Sequence, residues 1–126
     1  MTATVYEIVG GREFFDALVG HFYVGVAGDP VLRPLYPDDL AESRRRLAGF
    51  LAQYWGGPPE YSAERGHPRL RARHMPFPIG GRERDAWLVH MLAALDATAV
   101  AHSVPDDVRS AMRTYFTDAA EFLVNA

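Results

Sequence analysis

Gly66-His67-Pro68-Arg69-Leu70-Arg71-Ala72-Arg73-His74-Met75-Pro76 interrupts an otherwise regular helical chain. Pro68 suits the first position of a helix, where its missing N–H costs nothing. Pro76 disfavours helical backbone at Met75 and ends the segment. The spacing therefore predicts a short helix from Pro68 to His74. On it Leu70 and His74, four apart, share a face, while Arg69 and Arg73 are displaced around the axis. The result is a histidine beside an apolar anchor with guanidinium groups at its flank. The stretch lies inside the 25-residue segment from Gly57 to Gly81, which holds five prolines. A loop of that length is uncommon in a compact small domain and tends to be functional.

Outward from this segment the chain reads as helix. Glycine pairs at Gly10-Gly11, Gly56-Gly57 and Gly80-Gly81 punctuate it, and prolines gather at Pro30 to Pro37 and Pro58 to Pro78. Between these breaks lie four segments with apolar residues at three- and four-residue steps. The first runs from about Arg12 to Ala27, with Phe14, Phe15, Leu18, Val19, Phe22, Tyr23 and Val26. The second runs from about Leu40 to Tyr54, with Leu40, Leu47, Phe50, Leu51 and Tyr54. The third runs from about Arg82 to His102, with Trp87, Leu88, Met91, Leu92, Leu95 and Val100. The fourth starts at Pro105-Asp106-Asp107, a proline and two acids suited to a first turn. It continues through Val108, Met112, Tyr115, Phe116, Ala119, Phe122 and Leu123. No useful stretch alternates with period two, and hairpin turns of the Asn-Gly or Asp-Gly type are absent. The fold class is all-α, and at 126 residues the expectation is a single domain spanning 1–126.

Composition narrows the function. The net charge of −3 offers no broad footprint for nucleic acid. With no cysteine, disulfides, thiolate zinc, iron–sulfur clusters and cysteine nucleophiles are excluded. Neither a signal peptide nor a membrane-spanning run is visible, so a cytoplasmic protein off the membrane is expected.

One cofactor suits the arrangement around His74. A haem needs a neutral imidazole for its iron, an apolar slot for its macrocycle and cations for its propionates. His74 offers the first, Leu70, Met75 and Phe77 part of the second, and Arg73 part of the third. A solvated, arginine-rich surface turn is the alternative that these residues alone leave open. His21 and His90 sit at the edges of apolar helical faces, where a satisfied, partly buried histidine is the common outcome. His102 falls at a helix C-terminus, where the macrodipole favours its positive form. His67 precedes Pro68 and leads into the short helix.

A family resemblance rests on several further pieces: Tyr6-Glu7-Ile8-Val9-Gly10-Gly11, Phe22-Tyr23, and Asp29-Pro30-Val31-Leu32-Arg33-Pro34-Leu35-Tyr36-Pro37. Phe50-Leu51-Ala52-Gln53-Tyr54-Trp55-Gly56-Gly57-Pro58 and Tyr61-Ser62 follow, then the run from Arg65 to His74 and Glu83-Arg84-Asp85-Ala86-Trp87-Leu88. With these pieces the sequence resembles the truncated haemoglobins over nearly its whole length. Within them it resembles the second group, which carries a tryptophan and a tyrosine in the ligand pocket.

The resemblance implies a shortened globin, a two-over-two helical sandwich around haem b, the iron protoporphyrin. It implies His74 as the iron ligand, its other ring nitrogen donating to a backbone carbonyl. On the opposite face it implies a pocket of Tyr23, Tyr36, Leu47 and Trp87, with a residue near Ser43 where ordinary globins have a distal histidine. Against the haem it implies Arg46, Leu47, Phe50, Leu51 and His67 with Leu70, Arg73, Met75, Phe77, Trp87 and Met91, the two arginines near the propionates. The expected function is binding of dioxygen, nitric oxide or carbon monoxide at a five-coordinate iron. A nitric oxide dioxygenase or peroxidase re-reduced by a separate reductase is the enzymatic alternative. A haem-free helical interaction module is the third reading, which His74 argues against. The oligomeric state stays open, with a homodimer among the options.

Overall fold

A computed structural model describes residues 2–126. Four long helices carry the frame: α2 (Arg12–Ala27), α3 (Ala41–Tyr54), α6 (Gly81–Ala101) and α7 (Asp106–Phe122). Three short ones complete the set among the described residues: α1 (Val5–Val9), α4 (Glu60–Arg65) and α5 (Leu70–His74), with a 3-10 turn at Arg33–Leu35. The long helices fall where the apolar periodicity puts them, within about a residue at each end.

α2 packs against both α3 and α6, and α6 packs against α7. The seven residues of the inward face of α2, Phe14, Phe15, Leu18, Val19, Phe22, Tyr23 and Val26, are all buried, with Phe14, Phe15, Leu18, Phe22 and Val26 fully sealed. Burying one such side chain contributes about 1.5–3 kcal/mol, so this face dominates the core. Gly25 allows α2 and α6 to meet closely, because a Cβ there would run into the His90 ring. His90 in turn contacts Asp29 through Nε2 at 2.7 Å. Asp29 also accepts from the Val31 and Leu32 N–H groups at 2.8 and 3.2 Å. These contacts hold the turn after α2 against α6, and they keep the Asp29 carboxyl below the usual carboxylate range.

Three departures from the sequence reading have local causes. α5 starts at Leu70 rather than Pro68, because Arg69 has left-handed backbone with φ +46° and breaks the turn before it. Two short helices escaped the periodicity, α1 with a Thr4/Glu7 capping box and α4 opened by Pro59. Tyr54, Val100 and Phe122 are 52, 72 and 55% exposed. Each sits in the last turn of its helix, past the edge of the core. Among the described residues no helix is long and apolar enough to cross a membrane.

Candidate ligand-binding site

α5 and the loop after it present His74. Its Nδ1–H donates to the Leu70 carbonyl at 2.6 Å, one helical turn back. That bond fixes the tautomer and leaves Nε2 with its lone pair and no hydrogen bond among the described residues. The ring is half-buried, with Leu70 half-buried beside it and Met75 and Phe77 59 and 42% exposed. Large apolar side chains at the rim of an unengaged imidazole fit a flat apolar group that they would cover. Among the described residues no three or more His, Cys, Asp or Glu side chains gather to hold a metal ion.

Side-chain-to-backbone bonds shape this loop. Arg73 Nε donates to the Pro68 carbonyl at 2.7 Å, and its Nη2 to the Arg65 carbonyl at 2.9 Å. Two of its donors thus brace the turn into α5, and Nη1 remains for another partner. From beyond α7, Asn125 Nδ2 donates to the carbonyls of His74 and Phe77 at 3.2 and 3.0 Å. The Ile79 N–H donates to Asn125 Oδ1 at 2.9 Å, and the Asn125 N–H to the Ile79 carbonyl at 2.8 Å. The sequence reading passed over Asn125, and no local pattern marks it.

Three aromatic residues assemble on a second wall. Tyr23 is buried on α2, Tyr36 is half-buried just after the 3-10 turn, and Trp87 is half-buried on α6. The Tyr23 and Tyr36 rings meet edge-on at 5.5 Å between centroids, and Phe22 meets Trp87 at 5.5 Å. Trp87 lies beside the Tyr36 phenol and Ser43 beside that of Tyr23, each partly offsetting the effect of burial. Burial pushes the Tyr36 phenol up to about 12 and the Tyr23 phenol higher still, so both stay protonated donors at neutral pH. Arg33 holds the Tyr36 turn, donating to the carbonyls of Tyr36, Pro37 and Asp38 at 3.3, 2.9 and 2.8 Å.

The remaining sequence candidates divide. Leu47 is half-buried on α3, and Phe50 lies on the same helix with 9% exposure. Leu51 and Met91 are buried, at 2 and 0% exposure. Arg46 is exposed and pairs with Glu42 at 3.3 Å. His67 is exposed, and its Nδ1 accepts from the Arg69 N–H at 3.2 Å. His90 is the satisfied, partly buried histidine expected of it, whereas His21 is exposed.

A helical frame that sets a free imidazole on a braced loop, together with a tyrosine–tryptophan wall, defines a globin. Residues 4–121 match the family model described as bacterial-like globin. The group 2 truncated haemoglobin YjbI of Bacillus subtilis (strain 168) is 52% identical over 91 residues, covering 72% of this chain and 68% of that protein. The haemoglobin of Chloroflexus aurantiacus superposes with a TM-score of 0.94 at 51% identity, covering 99% of this chain and all of that one. The group II truncated haemoglobin of Bacillus anthracis superposes with a TM-score of 0.92 at 40% identity, covering 100 and 94% of the two chains. The chain belongs to the bacterial-like globin family, in its group 2 truncated haemoglobin branch. The cofactor of that family is haem.

Proposed function

We propose that the protein binds haem b with His74 as its one permanent iron ligand and takes up dioxygen on the face lined by Trp87, Tyr36 and Tyr23. The observation that carries this is the His74 ring, with Nδ1–H spent on the Leu70 carbonyl at 2.6 Å and Nε2 unengaged beside an exposed apolar rim. When bound, haem supplies an iron able to take a diatomic ligand: dioxygen, nitric oxide or carbon monoxide. The chain's own residues do the rest. Leu70, Met75 and Phe77 cover the macrocycle on the His74 side, and Leu47 and Phe50 cover it on the other. The free Nη1 of Arg73 and the exposed Arg46 are the cations for the propionates.

A bound diatomic ligand carrying partial negative charge would be held by neutral donors aimed into the pocket. The Trp87 indole is a donor only, and the Tyr36 phenol stays protonated at neutral pH. The position of the usual distal histidine falls at a residue near Ser43, and a small side chain there would gate entry only weakly. The test is the absorbance spectrum of the ferrous protein. Wild type should give the five-coordinate histidine form, and His74→Ala should lose it. Loss on His67→Ala or His90→Ala with His74→Ala intact would overturn the assignment.

A further inference from the structure

Two rungs join α6 to the turn after α2. One is Trp87 beside the Tyr36 phenol. The other is His90, whose Nε2 lies 2.7 Å from Asp29 Oδ2, with the two side chains 25 and 16% exposed. His90 follows Trp87 by three residues, so both stand on one side of α6. Asp29 and Tyr36 stand at the two ends of the same turn.

We propose that His90 is a positioning residue for the ligand face: through Asp29 it sets the turn that carries Tyr36 against Trp87, and so lengthens the stay of dioxygen on the iron. The proposal rests on the haem reading above. His90 acts only through Asp29 and needs no contact with the ligand.

Both carboxylate oxygens of Asp29 are engaged. Oδ2 takes the His90 contact, and Oδ1 accepts from the Val31 and Leu32 N–H groups. The Arg33 N–H then donates to the Asp29 carbonyl at 2.9 Å, and the Tyr36 N–H to the Arg33 carbonyl at 3.2 Å. A displaced carboxylate is thus felt along a bonded frame that ends at Tyr36. The hydrogen bond from His90 and those from the backbone hold the Asp29 carboxyl below the usual carboxylate range, so it is an anion at neutral pH. Nε2 therefore carries a proton and donates it to a charge, which makes this one of the stronger hydrogen bonds. The other edge of the ring has little room to swing, because a Cβ at Gly25 would already run into it. Hydrogen bonds weaken steeply as their angle closes, so a small turn of the Tyr36 phenol or the Trp87 indole loosens its hold on a ligand. A histidine that only filled the space beside Gly25 would be replaceable by an apolar side chain of similar size. One that positions the turn is replaceable only by another donor.

The experiment measures off-rates of dioxygen and carbon monoxide from haem-loaded wild type, His90→Leu, His90→Gln, Asp29→Ala and the His90→Leu/Asp29→Ala double variant. Amide hydrogen exchange over residues 29–36 is followed in the haem-free proteins. His90→Leu should release dioxygen several-fold faster, with carbon monoxide release unchanged and exchange over 29–36 quickened. His90→Gln should recover both toward wild type, and His90→Leu should add nothing once Asp29 is Ala. An unaltered dioxygen off-rate in His90→Leu, equal acceleration of both ligands, no recovery in His90→Gln, or additive effects of the two substitutions would overturn the positioning role. If Asp29→Ala does not fold, the comparison of His90→Leu with His90→Gln decides. A protein with no haem absorbance, or one in which neither Trp87→Phe nor Tyr36→Phe alters dioxygen release, would overturn the reading of the ligand face and this inference with it. Altered release in those two variants with unaltered release in His90→Leu would overturn this inference alone.

Discussion

The two walls of the candidate haem pocket are built by different physics. The tyrosine–tryptophan wall grows out of helix interiors. Tyr23 stands on a face of α2 whose apolar residues are all buried, and Trp87 on α6, which meets α2 closely at Gly25. Many small packing contacts fix those side chains, so no single exposed residue can move them far. The histidine wall is a five-residue helix with no buried residue of its own. Its shape depends on the bonds of Arg73 and Asn125 to backbone carbonyls, each worth about 0.5–1.5 kcal/mol net. One wall is held by burial and the other by a few named hydrogen bonds, so they should fail differently.

Ligation of the iron is where the histidine wall breaks most completely. In His74→Ala the nearby alternatives are occupied, the His90 ring by Asp29 and Nδ1 of His67 by the Arg69 N–H. The five-coordinate ferrous spectrum should vanish, with exogenous imidazole restoring a similar spectrum in the vacated space. Restoration shows that only the ligand was lost. A spectrum unchanged by the substitution would remove His74 from the iron.

The aromatic wall should respond next most strongly, through charge. A hydrogen bond to a charged acceptor contributes ~1.5–3 kcal/mol. At 1.4 kcal/mol per factor of ten, losing one donor should speed dioxygen release by about ten- to a hundred-fold. Carbon monoxide gathers little charge on its outer atom and should be much less affected. Off-rates of both ligands in Trp87→Phe and Tyr36→Phe test this as a ratio. Equal acceleration of the two ligands would make Trp87 a steric gate, and no change would return it to core packing.

The same contrast decides what was legible in the sequence. Periodicity is a local signal, so α2, α3, α6 and α7 could be read from runs such as Phe14, Phe15, Leu18, Val19 and Phe22. Tyr23 and Trp87 came with those runs because they ride on the buried faces. The histidine wall could be read only in outline. Pro68 and Pro76 bracket a short helix, but the left-handed Arg69 that shifts its start leaves no compositional trace. α4, at six residues, is too short to display a period. Asn125 lies 51 residues from His74, and a bond across that separation has no signature in either segment. For Leu51 and Met91 periodicity tells only of burial, since apolar residues near a pocket read alike whether they line it or pack behind it. The candidate iron ligand needed chemistry plus family resemblance, since an arginine-rich turn with a histidine also suits plain solvent exposure.

Asn125→Ala sharpens the comparison from the histidine side. It removes the side-chain bonds to His74, Phe77 and Ile79 while leaving the helices intact. At about 0.5–1.5 kcal/mol per net bond, amide hydrogen exchange over residues 74–79 should quicken by about tenfold or more in the haem-free protein. Exchange across α2 and α6 should stay as in wild type. In the haem-loaded protein the iron–histidine stretching frequency should shift, a change that general destabilisation would not produce. Faster exchange spread evenly over the molecule would mean that Asn125 supports the whole fold rather than this loop.

The smallest effect belongs to the cations. Arg46 is exposed and already paired with Glu42 at 3.3 Å, so a propionate must compete with that carboxylate. Exposed ion pairs are typically worth less than about 1 kcal/mol, so Arg46→Met should speed haem loss to an acceptor protein by less than about fivefold. High salt should shrink the difference further. Arg73 differs, because two of its donors brace the Pro68 and Arg65 carbonyls. Arg73→Met therefore removes both a cation and a strut, and it should speed haem loss more than Arg46→Met does. Its salt-independent part should persist at high ionic strength, where the charge contribution is screened. Equal losses in the two variants, both abolished by salt, would make Arg73 a cation only and leave Asn125 as the principal brace of the histidine wall.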